Sequence, residues 1–272
     1  MSIYLQTNVS SLIASMNFNN SQSQLHASFE KLSSGYRINS AADDAGSLGV
    51  AKVLNNQVQS YTIASRNTSD AISMVQTADG SAAQLSSLLT RMRQLAVEAT
   101  NGTMSANDVA NLGTEYTADL SEIDRVAGDA TFNGKGLLAG AATTITFQVG
   151  INGTTNDQIS VGFGALDSAA TGLNVTGTTV TSANILTTLD NAMTTLNTAR
   201  AGFGAAVNRL NYAASQIQSS QTNLSAALGS IQDVDVAAET SSLAREQVLA
   251  QAGASVLAQA NQSPQLALKL LQ

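Results

Sequence analysis

Between Leu189 and Ile231 apolar residues recur with alternating spacings of four and three. The positions are Leu189, Met193, Leu196, Arg200, Phe203, Val207, Leu210, Ala214, Ile217, Gln221, Leu224, Leu228 and Ile231. Only Arg200 and Gln221 are polar, and no proline interrupts the run. Such spacing, sustained over about six heptads, predicts a coiled-coil helix across 183–231. At 1.5 Å per residue it is roughly 70 Å long, too long to fold back on a compact ball, so it needs an equally long partner. Residues 44–100 supply one: they carry no proline and only Gly46, Gly49 and Gly80, with apolar positions at Leu54, Val58, Tyr61, Ile72, Val75, Ala82, Leu85, Leu89, Met92 and Ala96. Asn101-Gly102 is a natural stop. A third helix is expected over 106–127, with Val109, Leu112, Tyr116, Leu120 and Ile123 on one face.

Between Asp129 and Ser182 the helical period disappears and Gly, Thr and Asn accumulate. Thr143–Val149 and Gln158–Phe163 alternate as half-buried strands do, and the Gly150–Asp157 segment between them is rich in turn formers. This predicts a β-hairpin. Residues 168–182 read as an exposed loop or weak strands.

The two ends differ from everything between them. Residues 1–29 and 247–268 carry no formal charge, and all nineteen acidic residues lie from Glu30 to Glu246. Fourteen of the first twenty-four residues are Ser, Thr, Asn or Gln, so the segment is uncharged without being apolar. Thin stripes run through both ends: Leu5, Val9, Leu12 and Met16, then Phe18, Leu25, Phe29 and Leu32, and at the far end Val236, Leu243, Ala250 and Leu257 every seven residues. Each stripe is too thin to hold a lone helix against the cost of ordering it. Both arms are expected to be largely disordered in the isolated monomer and to fold when they pack together. Uncharged hydrogen-bonding surface suits a segment that lies beside copies of itself.

Composition narrows the function. Charged residues make up 11% and aromatics 4% of the 272 residues, with one Pro, one His, no Trp and no Cys. So few aromatics fit thin helical layers better than one thick core. A net charge of −7 argues against nucleic-acid binding, which needs a basic face. No apolar run is long enough to span a bilayer, so no membrane insertion is expected. The N-terminus has no basic residue and no continuous apolar core, so it does not read as a cleaved secretory signal. No set of residues has the spacing of a nucleophile, phosphate loop or metal site, and neither an enzyme nor a cofactor is expected. Asp43-Asp44 reads as a helix start, where the dipole favours negative charge. His26 reads as a packing or channel-facing group.

Four segments carry a family resemblance. Leu32-Ser-Ser-Gly-Tyr-Arg-Ile-Asn-Ser-Ala-Ala-Asp-Asp-Ala-Gly46 resembles the N-terminal signature of bacterial flagellins. Ile123-Asp-Arg-Val126 with Thr131-Phe-Asn-Gly134 is similar to the segment between the family's third helix and its β-region. Phe203-Gly-Ala205 with Asn208-Arg-Leu210 resembles the start of the C-terminal long helix, and Gln251–Gln265 resembles the terminal segment, including Pro264. They occur in family order and span both ends.

The resemblance implies a mainly α fold in which long antiparallel helices form a nested coiled-coil hairpin with both termini paired, plus a small β-hairpin near 140–165. It implies a terminal inner domain of 1–43 plus 233–272 and a long-helix bundle of 44–232. The 129–182 stretch is its β/loop-rich part, with little or no outer domain. Gly35–Asn39 is then a spoke joining the two layers. The implied function is a structural subunit that is exported through the flagellar apparatus and self-assembles outside the cell into the helical filament used for motility. Leu5, Val9, Leu12, Met16, Leu25, Phe29, Leu243 and Leu257 become candidates for polymerisation and inner-domain packing. Leu89, Arg91, Arg93, Leu95 and Glu115 match positions by which related flagellins meet a vertebrate Toll-like receptor, or otherwise make axial contacts. The family commonly has Gln where Glu98 stands. Implied partners are further copies of the chain, hook–filament junction and cap proteins, and an export chaperone at the C-terminal end. Ser and Thr of 141–182 become candidates for O-glycosylation. The alternatives are a hook–filament junction protein, which shares the nested termini, and a surface protein that binds a polymer such as a polysaccharide through 141–182.

Overall fold

The computed structural model describes residues 7–270, with side chains described through residue 262. Leu5 and the 263–265 part of the terminal motif lie outside the residues or side chains so described. Five α-helices carry the chain: α1 (Val9–Ser34), α2 (Ala45–Ala99), α3 (Ala106–Asp129), α4 (Ile185–Gln232) and α5 (Val236–Leu270). Two small antiparallel pairs lie between α3 and α4 in sequence: β1 (Thr131–Phe132) with β2 (Lys135–Gly136), and β3 (Thr143–Gln148) with β4 (Gln158–Phe163). The fold is mainly α with a small β-hairpin, as the periodicities require.

Local chemistry sets the helix ends. Asn8 caps α1 by accepting from the Ser11 N–H at 3.0 Å. Gly35 closes α1 in the left-handed region at φ 77°, donating its N–H to the Lys31 carbonyl. A residue with a Cβ is disfavoured in that conformation. Asp44 accepts from the backbone N–H groups of Gly46 and Ser47 at the start of α2. Asp43 instead closes the preceding turn by accepting from Asn39 and Ser40. Ser105 and Asp108 form a reciprocal capping box on α3. The Asn133-Gly134 turn between β1 and β2 has φ of 47° and 75°, the backbone twist that a two-residue hairpin demands.

The chain divides into two compact units, residues 57–222 and residues 1–56 with 223–272. The 57–222 unit holds the large core. Its members include Val75, Ala82, Leu85, Leu89, Met92 and Ala96 from α2, Tyr116 and Ile123 from α3, and Leu189, Leu196, Phe203 and Leu210 from α4. Every one of the thirteen α4 seam positions named from the sequence is buried or half-buried. The β3–β4 hairpin turns Ile159, Val161 and Phe163 inward, and the Phe163 ring lies 5.7 Å from that of Phe203. The outer hairpin face carries Thr146 and Ser160, whose hydroxyls are 3.0 Å apart.

Residues 168–182 differ from the exposed loop expected. Leu173, Val175 and Val180 are buried, and the segment is organised around Ser168. The Ser168 N–H and hydroxyl donate to the two carboxylate oxygens of Asp124 on α3, and the Thr176 hydroxyl donates to the Ser168 carbonyl. The irregular backbone is therefore satisfied by side chains and internal turns rather than by water.

In the terminal unit, by contrast, the only buried apolar side chains among the described residues are Ala14, Ile38 and Ala51. At about 1.5–3 kcal/mol for a large buried apolar side chain, that unit has little hydrophobic holding energy of its own.

Candidate assembly surfaces

Helices α1 and α5 pack antiparallel. The Asn8 amide donates to the Ala260 carbonyl at 2.8 Å, and the Ser11 hydroxyl donates to Asn261 Oδ1 at 2.6 Å. Gly253 lies against Phe18, and the Gln24 amide, turned to donate, reaches Glu246 at 2.9 Å. At the far end Tyr36 bridges Asp233, the Arg37 N–H donates to the Gln232 carbonyl, and Val234 N–H donates to the Gly35 carbonyl. The Arg37 guanidinium adds a 2.6 Å bond to the Ile231 carbonyl.

On α1 the face turned to α5 consists of Asn8, Ser11, Ala14, Phe18, Ser21, Leu25 and Ser28. On α5 it is Glu239, Leu243, Glu246, Ala250, Gly253, Leu257 and Ala260, a strict four–three repeat. Leu25, Leu243 and Leu257 therefore belong to the contact within the chain.

The first stripe, read from the sequence as part of the pairing seam, does something else. Val9, Leu12, Ile13 and Met16 are 50%, 61%, 53% and 59% exposed. At 3.6 residues per turn they fall on the side of α1 opposite the seam. Phe29 is also largely exposed. The row lies on the charge-free stretch of α1 before Glu30 and faces away from α5. His26 is exposed on the same helix.

The candidate axial or receptor residues separate into two kinds. Leu89 and Leu95 are fully buried in the 57–222 core, so neither offers a surface. This corrects the reading of both as contact residues: their apolar side chains face the core, whereas the charges alternating with them face water. Arg91 binds Glu115 through Nε and Nη2 at 2.7 and 2.5 Å, and Arg93 binds Asp190 at 2.7 Å. Both pairs are about half exposed, which limits their stabilising effect. Beside them on α3, Asp119 has a buried carboxylate oxygen without a hydrogen-bond partner. Burial, followed by repulsion from Glu115, raises its pKa above the usual carboxylate value. Hydrogen bonds from Ser47 and Ser105 do the reverse for Asp44 and Asp108. Among the described residues no cluster of His, Cys, Asp or Glu could hold a metal ion, and no helix is long and apolar enough to cross a membrane.

Residues 5–143 match the model of the bacterial flagellin N-terminal helical region, and residues 186–271 match that of the C-terminal helical region. The chain is 35% identical to a flagellin of Halalkalibacterium halodurans, over 97% of this chain and 98% of the relative. It is 37% identical to a flagellin of Bacillus subtilis over 93% and 94% of the two chains. To the flagellar filament 33 kDa core protein of Treponema phagedenis it is 34% identical, over 97% and 98%. The paired helical termini, the long-helix core and the family match over nearly the whole sequence agree: the chain belongs to the bacterial flagellins, a family of structural filament subunits.

Proposed function

We propose that this chain polymerises into a flagellar filament through the outward stripe of α1, with the terminal segments, 1–43 and 233–272, as its coiled-coil inner domain and 44–232 as its long-helix bundle domain. One observation supports this most directly: Val9, Leu12, Ile13 and Met16 form an exposed apolar row with no partner among the described residues, on the part of α1 before Glu30 that carries no formal charge. Copies crowded about an axis would bring any charge there against its own image in a poorly screened setting. An uncharged polar and apolar surface avoids that repulsion. Non-closing, head-to-tail contacts between such copies generate a helical filament. Leu5, one turn before Val9, extends the same stripe in sequence.

The thin holding energy of the terminal unit fits arms that order fully only on assembly, which suits a subunit exported through a narrow channel and deposited outside the cell. The exposed Val248, Leu249 and Val256 of α5 suit a groove on an export chaperone before assembly. Junction and cap proteins are the expected partners at the filament's two ends. Arg91, Arg93 and Glu115 form the accessible part of the axial face, and a Toll-like receptor would meet the same charges on a free subunit.

Electron microscopy of the purified full chain tests the reading. The wild type should elongate into long helical tubes, whereas a Leu12→Ser, Met16→Ser chain should remain monomeric with the helicity of its 57–222 unit intact. Normal elongation by the double variant would remove the stripe from assembly. A wild type that forms only short stubs would favour a junction protein.

A further inference from the structure

The 57–222 unit carries three Asn-Gly dipeptides, Asn101-Gly102, Asn133-Gly134 and Asn152-Gly153, and all six residues are exposed. This pair of residues has a chemistry of its own. The glycine amide nitrogen can attack the asparagine side-chain carbonyl, because glycine has no Cβ to crowd the approach. Sequence and exposure do not distinguish the three sites; backbone geometry does.

Ring closure needs the glycine nitrogen to eclipse the asparagine Cβ. Asn133 lies in the left-handed region at φ 47°, in a two-residue hairpin turn with Gly134 at φ 75°. With ψ at about +30°, as such a turn requires, the Gly134 nitrogen stands nearly anti to the Asn133 Cβ, away from the side chain. Asn101 is held at three points. Its N–H donates to the Glu98 carbonyl at 3.0 Å, its carbonyl accepts from the Met104 N–H at 3.1 Å, and its Oδ1 accepts from the Thr103 N–H at 3.4 Å. Turning that peptide into line breaks the backbone bond from Met104.

Asn152, at the tip of the β3–β4 hairpin, has neither restraint. It lies outside the left-handed region. Neither its side-chain amide nor the Gly153 N–H has a hydrogen bond among the described residues. The surrounding tip is firmly built: the Asn152 N–H donates to the Asp157 carboxylate at 2.8 Å, and the Gly150 N–H donates to the Asp157 carbonyl at 3.0 Å. The carbonyl of the Asn152–Gly153 peptide accepts from Gln148 Nε2 at 2.7 Å. That bond polarises the peptide and makes the Gly153 N–H more acidic. A glutamine side chain can also follow the carbonyl as the peptide turns.

We propose that Asn152 is a site of spontaneous covalent modification, deamidating through attack by the Gly153 nitrogen. Solvent hydroxide takes the Gly153 amide proton, and the nitrogen forms a bond to Asn152 Cγ. The Cγ–Nδ2 bond then breaks, and ammonia leaves with a proton from water. Water opens the resulting succinimide at either carbonyl, giving aspartate or isoaspartate at position 152. The balance is one water consumed and one ammonia released, with no change of oxidation state. Either product sets a new carboxylate beside that of Asp157, and isoaspartate also routes the main chain through Cβ, lengthening the tip.

Ageing the purified full chain at mildly acid and mildly alkaline pH, followed by peptide mass mapping and an isoaspartate assay, tests the assignment. Asn152 should convert first, about tenfold faster than Asn101 or Asn133, the factor expected when a turn bond must open before reaction. Its rate should rise with pH, because the attacking nitrogen must lose its proton. In urea the three rates should converge, since only the folded backbone separates them. A Cβ at Gly153 would meet nothing within 4 Å, so Gly153→Ala should keep the fold and suppress conversion at 152 alone. Equal rates at the three sites in the folded chain would overturn the proposal, as would Asn101 or Asn133 leading. So would an Asn152 that stays intact in the folded chain while it converts in urea.

Discussion

Gly253 of α5 sits directly against Phe18 of α1: a Cβ on Gly253 would lie 3.4 Å from Phe18 Cδ2 and 3.7 Å from its Cα and Cβ. These are contact distances rather than clashes. The glycine is therefore not required by the packing, and it removes helix propensity from the middle of an arm.

Gly253→Ala should accordingly stabilise α5 by about 0.5–1 kcal/mol, from reduced chain entropy in the unfolded arm. Far-ultraviolet circular dichroism of the monomer should show more helix. Gly253→Leu has no such room and should separate the arms, so a loss of helix with Ala as well would show that the contact is tighter than it looks.

Leu89 and Arg91 are two residues apart and should behave oppositely. Leu89→Ala leaves a cavity in the core and should cost about 2–5 kcal/mol, whereas Arg91→Ala loses an exposed ion pair worth no more than about 1 kcal/mol. Urea unfolding of the two variants compares them. Equal costs would mean that the Arg91–Glu115 pair matters to the fold more than its exposure allows.

Asp119 gives a pH dependence whose sign is fixed by its surroundings. Its folded pKa is raised, so the fold favours the protonated form. The stability associated with that proton is fully present below the ordinary carboxylate value of 3.8 and is lost as pH rises through the folded pKa. Asp119→Asn should therefore be more stable than wild type at neutral pH, and the difference should disappear in acid. Asp108, lowered by its capping box, works in the other direction: its contribution is present above 3.8 and is lost as pH falls through its folded pKa. Urea midpoints measured at neutral and at acid pH separate the two, and an Asp119→Asn chain less stable than wild type at pH 7 would refute the assignment.

Gly172 has no room for a side chain. A Cβ there would lie 2.5 Å from the Asp167 carbonyl oxygen and 2.4 Å from its Oδ1. Gly172→Ala should distort the loop around Ser168 at a cost of about 1–3 kcal/mol. Faster hydrogen exchange at Leu173, Val175 and Thr176 is the expected readout, and unchanged exchange would show that the loop has slack.

The long helices were legible in the sequence because one partner decides each of their positions. Along α4 every seam position from Leu189 to Ile231 is buried or half-buried, so period and burial coincide. On α1 the same logic misleads. Its strongest apolar row, Val9 to Met16, points away from α5, whereas Asn8, Ser11 and Ala14 face it. Periodicity reports that a face is buried somewhere, but not whether the covering surface belongs to the same chain. Leu89 and Leu95 were misassigned for a related reason, since motif correspondence carries no information about which way a side chain turns. The 168–182 segment was misread because its order rests on Ser168, Asp124 and Thr176, polar groups that look like solvent-facing loop residues until their partners are known. The Asn133-Gly134 hairpin was available in principle, since that dipeptide is a strong turn signal.

The backbone clasp at Gly35 has a mechanical meaning. There the chain leaving α1 and the chain entering α5 are tied by the Arg37–Gln232 and Val234–Gly35 bonds, with the Arg37 side chain reaching Ile231. Tension that tries to part the two strands loads these bonds together, so they yield as a group instead of opening one at a time. Beyond the clasp the arms are joined by half-buried seam residues such as Phe18, Leu25, Leu243 and Leu257 together with a few hydrogen bonds. The root of the two arms is thus held by backbone bonds that act in parallel, a fastening that depends on main-chain geometry more than on side-chain identity.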